Sequence, residues 1–239
     1  MPFFRINDAL HYFAHVPKCA GASVEAYLMR RFGPIAFANS RYFKPPPEHR
    51  WTKSSPQHVD LEALKLLIPS EWIASSFSVV RHPVSRLRSA FDYQLLGEAT
   101  VPDGTDINAW FLDWVATREK APYRYDNHPR PASELVPQDA SVFRMEDGLQ
   151  PIVEYLDNLS DTICGPRDIP HENKSRGGAD YERTQAPLTP DVLNTIAKVY
   201  AEDFRRFGYK CEDVRKSQPT MRPLPKQKRS LLHRLLSKG

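Results

Sequence analysis

Apolar and polar positions along the chain sort into a few short β-like runs, each followed by segments of helical spacing. Leu10 to Val16 (LHYFAHV) alternates and is rich in β-favoured residues, so it predicts a strand. It runs into Pro17-Lys-Cys-Ala-Gly21, and after Ser23 the segment VEAYLMRRF has the periodicity of a helix. Asp60 stands as a cap before LEALKLLI, which Pro69 stops. Trp72 to Val80 (WIASSFSVV) is almost continuous in apolar and small residues, the pattern of a strand buried in a parallel sheet. Pro83 then opens a helix expected to reach about Leu96, ahead of Gly97. Asp106 to Thr117 carries Ile107, Trp110, Phe111, Trp114 and Val115 at helical spacing, and those aromatics read as core. Ser141 to Arg144 (SVFR) predicts a further short strand, Gly148 to Leu159 an amphipathic helix, and Pro190 to Phe207 a helix closed by Gly208. There is no internal repeat. The order β-α-α-β-α-α-β-α-α predicts an α/β fold built on an open, mainly parallel sheet flanked by helices.

A chain of 239 residues suits one substantial core rather than two. The expected organisation is a single domain over residues 1–214 and a basic, flexible tail over residues 215–239. That tail holds eight Lys or Arg and no acid, which leaves 25 of the 33 basic residues against all 29 acids in the body. The tail can touch an anionic membrane surface peripherally. Nucleic acid is not an expected partner, because no nucleic-acid motif is present. Many of the 22 prolines lie between Lys44 and Pro56 or between Pro122 and Pro137, where they mark long loops that substrate binding would explain. The N-terminus has neither a basic nor an apolar leader region, and no stretch is apolar enough to span a bilayer, so a cytoplasmic location is expected. Cys19, Cys164 and Cys211 are scattered without CxxC spacing, which suggests free thiols and no zinc site.

Two segments carry phosphate chemistry. Anions are well held where a strand ends in a tight turn and a helix begins, because backbone N–H groups converge there and the helix dipole favours negative charge. His15-Val-Pro-Lys-Cys-Ala-Gly-Ala-Ser23 has that layout, with Lys18 as a mobile charge, Ala20 and Gly21 allowing close backbone approach, and Ser23 offering a hydroxyl. It lacks the GxxxxGK[ST] of a nucleotide triphosphatase loop. The second segment is Arg81-His-Pro-Val-Ser-Arg-Leu-Arg-Ser89. Arg81 leaves the end of a buried strand and can fork onto a phosphate dianion while Ser89 donates to it. Arg86 and Arg88 cannot both share that face, so at least one should be solvated or paired with an acid.

With both segments in order, the chain resembles the sulfotransferases, in particular the group of heparan sulfate 2-O-sulfotransferase, the carbohydrate sulfotransferases and their bacterial relatives. VPKCAGAS looks like that family's 5′-phosphosulfate loop and RHPVSRLRSAF like its 3′-phosphate motif. Phe143-Arg-Met-Glu146, His171-Glu-Asn-Lys-Ser175 and Tyr200 to Tyr209 are similar to its later landmarks. The resemblance implies a P-loop-like fold and transfer of a sulfuryl group from 3′-phosphoadenosine 5′-phosphosulfate (PAPS, leaving PAP) to a hydroxyl or amine. It implies a donor site of Pro17, Lys18, Cys19, Ala20, Gly21, Ala22 and Ser23 around the phosphosulfate, Arg81 and Ser89 on the 3′-phosphate, and Asn173 and Ser175 closing over the nucleotide. Ala22 departs from the hydroxyl residue usual there. No metal is expected.

Lys18 is the expected partner for charge on the leaving oxygen. The family uses His or Glu as general base, and His58, at the end of the first proline-rich loop, is the leading candidate, ahead of His15, His49, Glu48 and His171. A saccharide or glycolipid acceptor is expected, with Tyr42, Trp51, Tyr123 and Tyr125 available to stack on a sugar ring or to pack in the core. A kinase or NTPase and a non-catalytic PAP(S)-binding module are the competing readings. Oligomeric state is not legible from the chain.

Overall fold

The computed structural model describes residues 1–39, 41–42, 44–50, 52–170 and 186–210. Strand β1 (Phe3–Ile6) and strand β2 (Ala9–Ala14) form an antiparallel hairpin. Its two-residue turn, Asn7-Asp8, has both φ angles positive at 47° and 66°, the geometry that keeps a tight hairpin in line with strand twist and that Asn and Asp tolerate. β1 has no counterpart in the sequence expectations. β2 pairs in parallel with β3 (Ile73–Val80), and β3 in parallel with β4 (Ser141–Arg144), giving the sheet order β1-β2-β3-β4. The expected open, mainly parallel α/β sheet is therefore present.

Helix α1 (Gly21–Phe32) starts three residues before the predicted run VEAYLMRRF, directly after the loop that follows β2. Helix α2 (Leu61–Leu67) is capped by Asp60, whose carboxylate accepts the Ala63 N–H at 3.0 Å, as expected. Helix α3 (Pro83–Asp92) departs from expectation. Instead of running on to Leu96 it changes into a π-helical turn, Tyr93–Gly97. Helix α4 (Ile107–Thr117) and helix α5 (Gln150–Ser160) lie where the periodicity put them. The last predicted helix is broken at Tyr200 into α6 (Pro190–Val199) and α7 (Ala201–Phe207). Tyr200 is fully buried, its hydroxyl donates to the Pro129 carbonyl at 2.5 Å, and its ring stacks on Phe111. Those contacts hold it at φ −103°, ψ 21°, off the helical path.

Two apolar clusters organise these parts. One packs α1 and α5 against the sheet through Phe13, Val24, Leu28, Phe77, Ile152 and Leu156. The other joins α3, α4 and α6 through Phe91, Phe111, Trp114, Val192 and Ile196, so the α4 aromatics are core residues. At about 1.5–3 kcal/mol per fully buried large side chain, the first cluster holds α1 and α5 on the sheet and the second holds α3 against α4 and α6. With β2, β3 and β4 parallel, their C-terminal ends lie along one edge, where open α/β sheets bind ligands.

Candidate active site

The loop after β2 is tightly curled. Lys18 and Ala20 adopt left-handed φ angles of 67° and 61°, uncommon for residues with a Cβ, and flank Cys19. Such alternation turns successive backbone N–H groups toward one side. Ala20, at the cap position of α1, has no side chain to cap the helix, and a helix N-terminus is a place that favours an anion. Gly21 has a sharper reason than backbone approach alone. A Cβ there would sit 1.9 Å from His15 Nε2, so the glycine makes room for the imidazole that crosses the helix start. Cys19 belongs to the core by its side chain, and burial pushes its thiol up to about 12. Only its backbone can serve the loop. Ser23 is buried in the first turn, and Ala22 beside it is half-buried.

Lys18 lies over the ring of Tyr93, Nζ 3.9 Å from the centroid. Burial first, and then the charge of Arg81, lower its pKa to about 8. The two cations are thus close enough to feel each other across neighbouring loops at the ends of β2 and β3. Arg81 is half-buried, and Ser89 is half-buried on α3. The backbone N–H of His82, next to Arg81, donates to Glu146 at 2.8 Å, and Tyr209 donates its hydroxyl to the same carboxylate at 2.8 Å. Glu146 and Tyr209, from the two later landmark segments, thereby pin the Arg81 loop. Arg86 is 1% exposed and donates to the His128 carbonyl at 2.9 Å and the Arg130 carbonyl at 2.5 Å. Arg88 donates to the Ala186 carbonyl at 2.8 Å. Both arginines bind backbone carbonyls, and Asp203 stands 3.9 Å from Arg86.

His58 ends the short turn Pro56–His58 and meets Asp126 from the second proline-rich loop, Nδ1 to Oδ2 at 2.7 Å. Asp126 also accepts the Ser55 N–H at 2.5 Å and the Ser55 hydroxyl at 2.7 Å. Burial pushes this carboxyl up, but the charge and hydrogen bond of His58, the charge of His128 and the Ser55 N–H outweigh it, bringing the pKa to about 2. A carboxylate on Nδ1 fixes the His58 tautomer and leaves the lone pair on Nε2, the arrangement a general base needs.

The carboxylate is held at a strained place. Tyr125, Asp126 and Asn127 have φ of 58°, 51° and 61°, three consecutive left-handed residues without a glycine. Each costs about 1–2 kcal/mol, and the run persists because Asp126 binds Ser55 and His58 while Asn127 Nδ2 donates to the His58 carbonyl at 2.7 Å.

Around His58 the rings are contiguous. His15 meets it edge to face at 4.8 Å between centroids, and His128 at 5.1 Å. His15 Nδ1 lies 2.5 Å from Glu25 Oε1; burial lowers the His15 pKa, while the charge and hydrogen bond of His15 outweigh burial and lower that of Glu25. His128 is buried, with burial and the charge of His58 lowering its pKa far below the ordinary value. Its ring lies 5.1 Å from Tyr93, the residue under Lys18. A continuous wall therefore runs from Lys18 through Tyr93 and His128 to His58 and His15.

Of the residues expected from sequence, Lys18, Gly21, Ala22, Ser23, Arg81 and Ser89 sit on the two phosphate-type segments at the sheet edge, and His58 stands in the adjoining histidine cluster. Glu48 and His49 are exposed. Asn173, Ser175, His171, Trp51 and the basic tail lie outside the described residues. Sequence reading missed Glu25, Tyr93, Gln94, Asp126 and His128. The available signal was Asp-Asn-His-Pro in the second proline-rich loop, polar residues where that loop turns. His58, Asp126 and His128 each bring one metal-ligand atom within 4.8 Å of the others. Asp126 and His58 Nδ1 already engage each other and Ser55.

A tightly curled loop leading into a helix and a histidine held by a carboxylate thus stand together near the C-terminal edge of the parallel strands. A family model for the sulfotransferase family matches residues 3–210, and the chain belongs to that family. No curated protein and no solved structure matches it.

Proposed function

We propose that the protein transfers a sulfuryl group from PAPS to a hydroxyl or amine of an acceptor, a carbohydrate or glycoconjugate in the first instance. The observation that carries this reading is the wall joining Lys18, in the loop that leads into α1, to His58 locked by Asp126. PAPS supplies the activated sulfuryl group and a phosphate leaving group. The residues at hand suit it: the loop N–H groups and Lys18 for the 5′ end, Arg81 and Ser89 for the 3′-phosphate, Asn173 and Ser175 for closure over the nucleotide.

In this reading His58 Nε2 takes the proton of the acceptor as its oxygen or nitrogen bonds to sulfur. Asp126 stabilises the resulting imidazolium. Lys18 faces the negative charge left on the phosphate when the S–O bond breaks, and needs its proton to do so. No step calls for a metal. Among the described residues no helix is long and apolar enough to cross a membrane. We place the reaction in the cytoplasm, with the basic tail free to touch an anionic surface. Transfer of labelled sulfate from PAPS to a panel of acceptors tests the proposal. Turnover that survives unchanged in both Lys18→Ala and His58→Ala would sink it.

A further inference from the structure

The hydrogen bonds of His58 and His128 assign their rings opposite tautomers. The Gln94 amide turns its NH2 toward His128 Nδ1 at 2.8 Å, with its Oε1 accepting the Thr100 hydroxyl at 2.5 Å. A nitrogen that accepts there carries no proton, so a neutral His128 carries it on Nε2. His58 is the reverse, because its Nδ1–H donates to the Asp126 carboxylate and Nε2 holds the lone pair. Gln94 reaches His128 from the π-helical turn after α3, whose carbonyl at Gln94 is held by the N–H groups of Thr100 and Val101. Inserted turns of this kind recur at functional sites.

A ring nitrogen of His58 and one of His128 lie within 4.8 Å of each other. One oxygen hydrogen-bonded to two nitrogens at about 2.8 Å, with a tetrahedral angle, spans about 4.6 Å. We propose that His128 is a second substrate-facing imidazole, a neutral donor whose Nε2–H bonds the acceptor oxygen while His58 Nε2 takes that oxygen's proton. This rests on the sulfuryl-transfer reading. His128 transfers no proton: the O–H proton goes to His58, the new O–S bond forms from one oxygen lone pair, and the other lone pair keeps the bond from His128. An amine nitrogen has a single lone pair, needed for attack, so this pair of rings suits a hydroxyl.

The tautomers can be read directly in the unmodified protein by NMR with 15N-labelled histidine, assigning the two rings by single His→Gln variants. The expected result near pH 7 is a proton on Nδ1 of His58 and on Nε2 of His128. A proton on Nδ1 of His128, a charged His128, or one equivalent of zinc held on both rings overturns the proposal. In turnover, His128→Leu should lower kcat about tenfold, the worth of one neutral hydrogen bond, with KM for PAPS little changed. His128→Gln, which can present an N–H near the position of Nε2, should recover most of that loss; equal losses in Leu and Gln variants contradict donation. The assigned tautomers in a protein that turns over no acceptor would count against sulfuryl transfer and leave the ring assignment standing.

Discussion

Replacing Asp126 by asparagine preserves the shape of the side chain and tests how His58 is made a base. In the native site Oδ1 accepts the Ser55 backbone N–H, a donor that cannot be reversed. The asparagine must therefore keep its carbonyl oxygen there and turn its NH2 toward His58 Nδ1 and the Ser55 hydroxyl. The hydroxyl can become an acceptor, but so must Nδ1, and the His58 proton moves to Nε2. The base is then blocked by its own hydrogen. General-base contributions of roughly 10²–10⁴-fold set the expected fall in kcat. The carboxylate also gives charge-assisted hydrogen bonds in a buried place, and with its pKa held down from 3.8 to about 2 it stabilises the fold in its ionised form. That stability is fully present above the unfolded value near pH 4 and is lost as pH falls toward about 2. At neutral pH the variant should melt several degrees lower. Steady-state transfer at saturating donor, with circular dichroism melting of the same preparations, measures both. A variant that keeps kcat within threefold of the native protein would refute the argument from tautomers, even if its melting point falls.

The Lys18 pKa of about 8 predicts a pH dependence of donor binding. PAP should bind most tightly below pH 8 and progressively less well as pH rises through it, read by calorimetry at pH 7 and 9; a Lys18→Arg variant should flatten that dependence. Gly21→Ala places a methyl group against His15 Nε2 and must displace the ring, so it should weaken PAP binding and cost about 1–3 kcal/mol of stability in denaturant unfolding. Arg86→Met leaves the His128 and Arg130 carbonyls unpaired. It should destabilise the fold by about 2–4 kcal/mol, and unaltered unfolding would contradict the role given to Arg86.

The parts legible in the sequence are those that local pattern determines. LHYFAHV, the small-residue turn and the helix after it are contiguous, and the parallel strand WIASSFSVV announces itself by composition. Strand β1 escaped because FFRI does not alternate, only Arg5 of its four residues facing out, and its partner follows after a two-residue turn. The π turn at Tyr93–Gly97 escaped because one extra residue per turn hardly disturbs an amphipathic pattern, although it decides where Tyr93 and Gln94 point. The dyad was half legible. His58 could be suspected from its place in a loop, but Asp126 is 68 residues away, and nothing in a Tyr-Asp-Asn run signals three left-handed residues. Their conformation is imposed by Ser55 and His58 across the site, so it is a property of the folded chain.

The most direct test of the central claim is a calorimetric titration of the protein with PAP and, separately, with ATP. The account predicts one site per chain that prefers PAP clearly over ATP and weakens sharply in Lys18→Ala and Arg81→Ala. Equal or tighter binding of ATP, or PAP binding indifferent to both substitutions, would contradict it.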